Sequence, residues 1–211
     1  MWKNSDAADC LVTPLLVNTH HHIFQFLAKA VPGGQNALLF GWLKTLYPVW
    51  PRFGTEKIRI SAVLGFSELA LSGCTISSDH VCLFPNGATL DDTIFAAHEV
   101  GLRFFPTRGS MSKGESQGGL PPDGLVEKEK DIINSCIRLI DKFNYMSPAS
   151  MIRVGLAPCS PFSVTRELTR ETAVLTRDKK VTLHTHLAEN QEDIAILWKN
   201  LAAGLDSMQK S

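Results

Sequence analysis

The chain has 211 residues, of which 44% are hydrophobic and 20% charged, which is enough apolar material for one sizeable core. Its 21 basic and 21 acidic residues give a formal net charge of zero, so the composition argues against a broad nucleic-acid interface. No stretch approaches the roughly 20 apolar residues of a membrane span, and the start of the chain lacks a secretory signal pattern. The five scattered cysteines predict reduced thiols, so we expect a cytoplasmic protein.

Strand-like and helix-like patterns alternate along the chain. Apolar, β-branched runs predict strands at 11–17, 73–80, 102–107, 151–157 and 181–187. Apolar periodicity predicts helices from a Thr55 cap to Gly73, from an Asp91 or Asp92 cap to Gly101, over 127–143 with Ile133, Cys136, Ile137, Ile140 and Phe143 inward, and over 165–178. Repeated βα units favour a parallel sheet covered by helices in a single domain.

Two segments interrupt the alternation directly after predicted strand ends. Residues 31–53 are rich in aromatic and apolar side chains, and we interpret the aromatic run within them, from Phe40 to Trp50, as core and pocket wall. Residues 109–124 are polar and rich in glycine. In a barrel of βα units the loops after the strands build the active site, so we expect both segments near it.

Two histidine motifs follow predicted strands at opposite ends of the chain. The first reads Asn18-Thr19-His20-His21-His22 and the second His184-Thr185-His186-Leu187-Ala188-Glu189. Strand alternation puts His20 and His22 on one face. Neutral imidazole is a common metal ligand, and catalytic zinc sites often keep one open position. The pattern predicts a metal-activated water, with Glu189 beside it to move protons.

The other histidines have simpler interpretations. His98 sits in a predicted helix and is most simply a surface side chain. His80 ends the second strand, where packing is the first interpretation and support of the metal ligands the second. For His184, which shares a face with His186, packing and support of the site both stay open.

Several longer motifs carry a resemblance to a known family. They are residues 14–25 (PLLVNTHHHIFQ), 30–43 (AVPGGQNALLFGWL), 71–80 (LSGCTISSDH), 108–122 (RGSMSKGESQGGLPP), 157–164 (APCSPFSV) and 183–190 (LHTHLAEN). In these the chain resembles the amidohydrolase superfamily, in its purine and triazine deaminase branch, and within it the 8-oxoguanine deaminases most. Hydroxyatrazine ethylaminohydrolases and guanine deaminases are similar too. The resemblance runs from about residue 8 to 195, and residues 197–211 form a divergent tail.

The resemblance implies an α/β fold, a (β/α)₈ TIM-type barrel of a metal-dependent hydrolase. The 211 residues supply about five of its eight βα units as a single partial domain, 1–211. His20, His22 and His186 would hold Zn²⁺, with iron as an alternative, and Glu189 would be the catalytic proton carrier. Gln25, Arg108 and Cys159 match substrate-binding positions. Simpler alternatives stay open: Cys159 is an ordinary buried thiol, Gln25 is a surface amide, and Arg108, with equal weight, only caps an element or pairs with a neighbour.

The implied activity is hydrolytic deamination of 8-oxoguanine or a related aminopurine or pyrimidine. The family's sixth-strand histidine and eighth-strand aspartate have no counterpart here. One alternative is therefore a truncated, inactive chain that at most binds metal or a partner chain. Another is a triazine or chlorinated-ring hydrolase of the same branch. We expect a small purine-like molecule as the partner, with no nucleic acid and no membrane, and we leave a homo-oligomer open.

Overall fold

The computed structural model describes residues 6–208, with side chains described as far as residue 199. Within this part of the chain, four strands alternate with helices. The strands are β1 Leu16–Asn18, β2 Cys74–Val81, β3 Arg103–Ser110 and β4 Gly155–Pro158. The helices are α1 Leu39–Leu46, α2 Thr55–Leu71, α3 Leu90–Val100, α4 Glu129–Phe143, α5 Arg166–Lys179 and α6 Gln191–Met208.

The four strands form one parallel sheet in the order β1-β2-β3-β4, and helices make every crossover. The register pairs Ile76 with Arg103 and Thr107 with Gly155. Because parallel sheets are buried on both faces, the β2 side chains are almost all buried, with no alternation of exposure. This succession of βα units is an incomplete TIM-type barrel, as the sequence predicts.

The first and last predicted strands differ most from the structure. A strand over 11–17 is wrong, because β1 begins only at Leu16. Pro14 has no backbone N–H to donate to a ladder, and Leu11 and Val12 are exposed. A strand over 181–187 is also wrong, since the segment makes only an isolated parallel bridge between Leu183 and Leu156. Leu156 N still donates to Thr182 O, and His184 N donates to Leu156 O, so the segment lies beside β4 without a full ladder.

Between these two segments the predicted strands and helices are present with shifted ends, and α1 is a helix that the sequence analysis did not predict. The predicted caps Thr55 and Asp91 lie inside their helices. α3 begins after Thr89, which forms a capping box with Asp92. The helix ends at Gly101, whose φ of 83° is left-handed. Thr165 caps α5 and accepts a hydrogen bond from Leu168 N. On α4, Cys136, Ile140 and Phe143 are buried as predicted, together with Ile132 and Leu139, which the pattern missed.

The core lies between the sheet and the helices. Phe66 of α2 meets Phe104 of β3 edge to face, with ring centroids 4.8 Å apart. Ile132 of α4 and Leu168 of α5 are fully buried members of the same core. In the part of the chain that the structure describes, no helix is long and apolar enough to cross a membrane.

Candidate metal centre and active site

The two histidine motifs meet at the carboxyl ends of the strands. The Nε2 atoms of His20 and His22 are 3.2 Å apart, and each lies 3.1 Å from Nε2 of His186. His20 and His22 follow β1, whereas His186 lies beyond β4, four strand positions away. A flat sheet would separate such positions by about 19 Å. The strong curvature of the sheet therefore brings the three rings together.

Main-chain carbonyls orient two of the three rings. His22 Nδ1 donates to His80 O at 2.8 Å, and His186 Nδ1 donates to Cys159 O at 2.9 Å. Since a carbonyl only accepts, each contact places a proton on Nδ1. In the neutral form of each ring, the lone pair is then on Nε2, which faces the other rings. Metal-bound histidines are held by outer contacts of this kind.

The geometry of the three nitrogens fits one cation. At metal–nitrogen distances of about 2.0–2.1 Å, tetrahedral angles place ligand nitrogens about 3.3–3.4 Å apart, and the observed separations are 3.1–3.2 Å. The three residues form a group whose ligand atoms lie close enough to share an ion. Three imidazoles with one side open match a catalytic rather than a closed structural zinc site.

A cavity of about 400 Å³ opens beside the histidine triangle. Its walls include Trp42, Leu43 and Phe162, and its polar groups include Gln25, Cys159 and Glu189. Gln25 starts the turn after the first motif, where its backbone N–H donates to His22 O at 3.0 Å. The aromatic segment 31–53 thus supplies pocket wall, in agreement with its interpretation from the sequence.

Glu189 lies at a sharp turn beside the triangle. Ala188 has a left-handed φ of 56°, which is uncommon for a residue with a side chain and concentrates at functional sites. Glu189 N donates to Asp193 Oδ2 at 3.1 Å, which ties this turn to the start of α6. Glu189 lines the same cavity as the three histidines.

Arg108 occupies a different environment from the other proposed substrate-binding residues. It lies within β3 with a side chain only 2% exposed, and its Nη2 donates to Glu127 Oε1 at 2.6 Å. Its guanidinium also stacks on Phe84, 4.4 Å from the ring centroid. Arg108 is not among the residues lining the cavity. The geometry favours the alternative in which Arg108 pairs with a neighbour, because its side chain points away from the cavity toward α4.

Burial and mutual repulsion keep most of the clustered histidines neutral. Burial, followed by His80 and His186, lowers the pKa of His22 to about 3. The same causes lower the pKa of His184 to about 4. The neutral ring is the form that binds metals, so His22 is ready to do so at neutral pH.

A thiol pair next to His186 has the opposite electrostatic effect. A hydrogen bond from Cys82 lowers the pKa of Cys159 well below its usual value, with burial opposing and His186 and His80 assisting. Burial opposes protonation of His186, but its contacts with Cys159 raise the pKa of His186 to about 9. The contacts of Cys159 with Cys82, His186 and His80 therefore favour loss of its thiol proton.

Three residues at the end of β2 support the site, and of these the sequence analysis had considered only His80, as a packed residue or as a support of the metal ligands. The carboxylate of Asp79 accepts a hydrogen bond from Ile23 N at 2.8 Å, which holds the turn after His22. His80 uses its main chain as the acceptor for His22, and its ring centroid lies 4.4 Å from that of His186. Cys82 lines the cavity beside Cys159. For Asp79 and Cys82, the only signal in the sequence is their position at the end of a predicted strand, where parallel neighbours meet.

Comparison with known proteins assigns the fold and the motifs to one family. Residues 11–205 match the amidohydrolase family. The chain belongs to the amidohydrolase family. It is 45% identical to the 8-oxoguanine deaminase of Pseudomonas aeruginosa over 195 residues, which is 90% of this chain and 43% of that protein. It is 35% identical to an isoxanthopterin deaminase from an unknown prokaryotic organism, over 87% of this chain and 39% of that protein.

Solved structures of this amidohydrolase fold agree with the architecture. The zinc complex of atrazine chlorohydrolase from Arthrobacter aurescens TC1 aligns with a TM-score of 0.78 at 32% identity, covering 83% of this chain and 41% of that one. Guanine deaminase from C. acetobutylicum aligns with a TM-score of 0.74 over 90% of this chain and 43% of that one, and at 19% identity it supports the fold alone. The chain spans about two fifths of the length of the curated relatives it matches.

Proposed function

We propose that this amidohydrolase chain carries the metal-binding part of the active site of a hydrolytic deaminase. The substrate class is a purine-like heterocycle with an exocyclic amine, such as 8-oxoguanine or a related aminopurine or pyrimidine. The supporting observation is the convergence of three Nε2 atoms, from His20, His22 and His186, at the mouth of a cavity that Glu189 also lines. The identity to an 8-oxoguanine deaminase favours this ring over others.

The proposed metal ligands are His20, His22 and His186, with Zn²⁺ as the ion and iron as the alternative. The fit rests on the donor set, three imidazoles with lone pairs on Nε2 and one open side. Such an ion makes water nucleophilic near neutral pH. His80 O and Cys159 O hold two of the rings in the binding tautomer, so little reorganisation accompanies metal uptake.

Glu189 is the proposed proton carrier. Its carboxylate can take a proton from the attacking water and deliver it to a ring nitrogen and then to the departing amine, which leaves as ammonia. The apolar walls Trp42 and Phe162 suit the faces of a flat heterocycle, while Gln25 and Cys159 offer polar contacts to its edge. The substrate would be held without a full counter-charge, which suits a neutral purine.

The test is ammonia release from 8-oxoguanine, guanine and isocytosine by zinc-loaded protein. Glu189→Gln keeps the size of the side chain but cannot carry the proton, so we expect kcat to fall about 10²–10⁴-fold with zinc content unchanged. His186→Ala should lose zinc, whereas His98→Ala, on the exposed face of α3, should keep both zinc and activity. No ammonia release from any of the three compounds, or full activity of Glu189→Gln, would contradict the proposal.

A second candidate is a hydrolase of triazine or chlorinated rings. The observation in its favour is the structural match to atrazine chlorohydrolase, a zinc complex with a TM-score of 0.78. Kinetics on hydroxyatrazine and atrazine beside 8-oxoguanine separate the two candidates by their kcat/KM values. A third outcome is zinc at one ion per chain with no turnover on any ring, which would identify a metal-binding chain that is not itself a catalyst.

A further inference from the structure

A second group of possible metal ligands lies behind the histidine triangle. It consists of His80, Cys159 and His186, whose ligand atoms all lie within 4.8 Å of one another. His80 comes from the end of β2 and Cys159 follows β4 directly, so two strand ends and the 181–187 segment meet here. We call these three residues the thiol cluster. Only His186 is shared with the triangle of His20, His22 and His186.

The ring of His80 is the part of the cluster that lacks an explanation. Its side chain is fully buried, and among the residues that the structure describes neither ring nitrogen has a partner with normal hydrogen-bond geometry. Buried polar atoms are nearly always paired with protein, water or an ion. The nearest polar groups of the cluster are Cys159 and His186, so the ring is directed at a position where a ligand could sit.

The sulfur supplies the second independent observation. Cys159 Sγ lies 3.9 Å from His186 Nδ1. A cation about 2.3 Å from sulfur and about 2.0–2.1 Å from nitrogen spans such a separation with an open bond angle. Thiolate combined with imidazole is a donor set that selects thiophilic cations over magnesium or calcium.

His186 cannot serve both groups as a neutral ring. In the triangle it uses Nε2 and keeps its proton on Nδ1, which donates to Cys159 O. In the thiol cluster it would use Nδ1 and carry the proton on Nε2. A neutral imidazole has one acceptor nitrogen, so the two arrangements exclude each other.

We propose that His80, Cys159 and His186 form an alternative site for a thiophilic cation, such as Cd²⁺, which competes with the histidine triangle for His186. On binding, the Cys159 thiol releases its proton to solvent and the proton of His186 moves from Nδ1 to Nε2. A cation in the thiol cluster leaves the triangle with two ligands, so zinc bound there is released.

The experiment adds Cd²⁺ to the zinc-loaded chain. Sulfur-to-cadmium charge-transfer absorption should grow in step with zinc release, measured with a chelating dye, at one cadmium per zinc. Absorption without zinc release, zinc release without absorption, or no change in either would overturn the proposal. Both signals are read without turnover, so the result is independent of whether the chain is a deaminase.

Matched variants locate the sulfur. Cys159→Ser should abolish the absorption, and His80→Asn should weaken cadmium binding by at least about tenfold. Cys136→Ser removes another buried thiol, on α4 away from the cluster, and should behave as the unchanged protein. Absorption that survives Cys159→Ser, or unchanged affinity in His80→Asn, would overturn the proposal.

X-ray absorption at the cadmium edge of the unchanged protein does not depend on the folding of any variant. The proposal requires one sulfur neighbour, with nitrogen or oxygen in the remaining positions. A shell without sulfur, or with more than one sulfur, would contradict it.

Discussion

At the scale of single residues, the end of β2 positions the first histidine motif. Asp79 Oδ1 accepts from Ile23 N, His80 O accepts from His22 Nδ1, and His80 N donates to His21 O, all at 2.8 Å. The first and third contacts fix the main chain on both sides of His22, and the second orients its ring. Asp79 acts through the backbone and does not touch the cavity, so it is a positioning residue.

Replacing Asp79 tests this role. Asp79→Ala removes the acceptor for Ile23 N, and we expect zinc affinity to fall about 10-fold or more because the turn carrying His22 loosens. Asp79→Asn keeps an oxygen at the same place and should retain most of the affinity. Competition with a chelating dye measures both variants. Equal affinities of the alanine and asparagine variants would show that the Ile23 contact does not position the ligand.

What the sequence reveals at this scale depends on how local the signal is. The spacing of His20 and His22, and of His186 and Glu189, is visible within a few residues of chain. The role of Asp79 depends on Ile23, a partner 56 residues away. The role of Arg108 depends on which face of β3 its side chain extends from. Such partners follow only from strand order and register, which composition and periodicity do not specify.

At the scale of elements, periodicity predicted α2, α3, α4 and α5 but missed α1 and α6, and it placed the ends of helices less well. The capping box at Thr89 uses Asp92, which the sequence suggested as the cap itself, because both residue types suit that end of a helix. The outer strands 11–17 and 181–187 were predicted from β-branched runs alone. Whether such a run forms a strand depends on whether another strand pairs with it. In the described part of the chain, each of these two runs lies beside at most one strand.

An ion-pair group joins α3 to α4. Burial favours the neutral form of Asp91, but Arg138 and Lys142 outweigh it and lower the pKa of Asp91 to about 2. A lowered pKa contributes stability that is present above the unfolded value, about 3.9, and is lost as pH falls through about 2. Since both cations are nearly half exposed, solvent screens the group, and we expect Asp91→Asn to cost about 1 kcal/mol of unfolding free energy at pH 7.

Urea unfolding of the Asp91→Asn variant at several pH values checks this. The difference from the unchanged protein should be constant from pH 7 to about 4 and should shrink toward pH 2. Asp141→Asn is the matched control, because its partner Lys179 lies on α5 and its own side chain is 58% exposed. We expect that change to stay within about 0.5 kcal/mol. A difference for Asp91→Asn that persists at pH 2 would point to packing rather than charge.

Gly109 marks the closest approach of β3 to the end of β2. A Cβ atom there would lie 2.3 Å from Val81 O and 2.9 Å from the Cα of Cys82, and backbone atoms have little room to move. We expect Gly109→Ala to destabilise the protein by about 1–3 kcal/mol. Gly124→Ala meets no atom within 4 Å and should be nearly neutral. Thermal unfolding compares the two, and equal stability would show that the strands can separate there at little cost.

At the scale of the whole molecule, the sheet has two apolar borders. Leu16 and Val17 of β1 are 60% and 56% exposed, and Leu183 and Leu187 beyond β4 are 38% and 57% exposed. Exposed strand edges with apolar side chains favour pairing with another chain. The homo-oligomer left open by the sequence therefore stays a prediction, with these borders as its expected contact.

Introducing a charge at one border tests that prediction. Leu183→Lys should lower the average mass in light scattering at a given concentration, because a buried lysine opposes association. Val174→Lys on α5, where the native side chain is 41% exposed, is the matched control and should leave the mass unchanged. A monomeric native chain, or equal effects of the two lysines, would contradict association through this border.

The histidine triangle also has a consequence for the cohesion of the chain. His22 and His186 are 164 residues apart in sequence, and each extends from an opposite border of the curved sheet. An ion shared between them would act as a cross-link that closes a loop over 164 of the 211 residues. Binding of the metal would then stabilise the tertiary structure as well as activate water. Removal of the metal by a chelator would free both borders of the sheet from this cross-link.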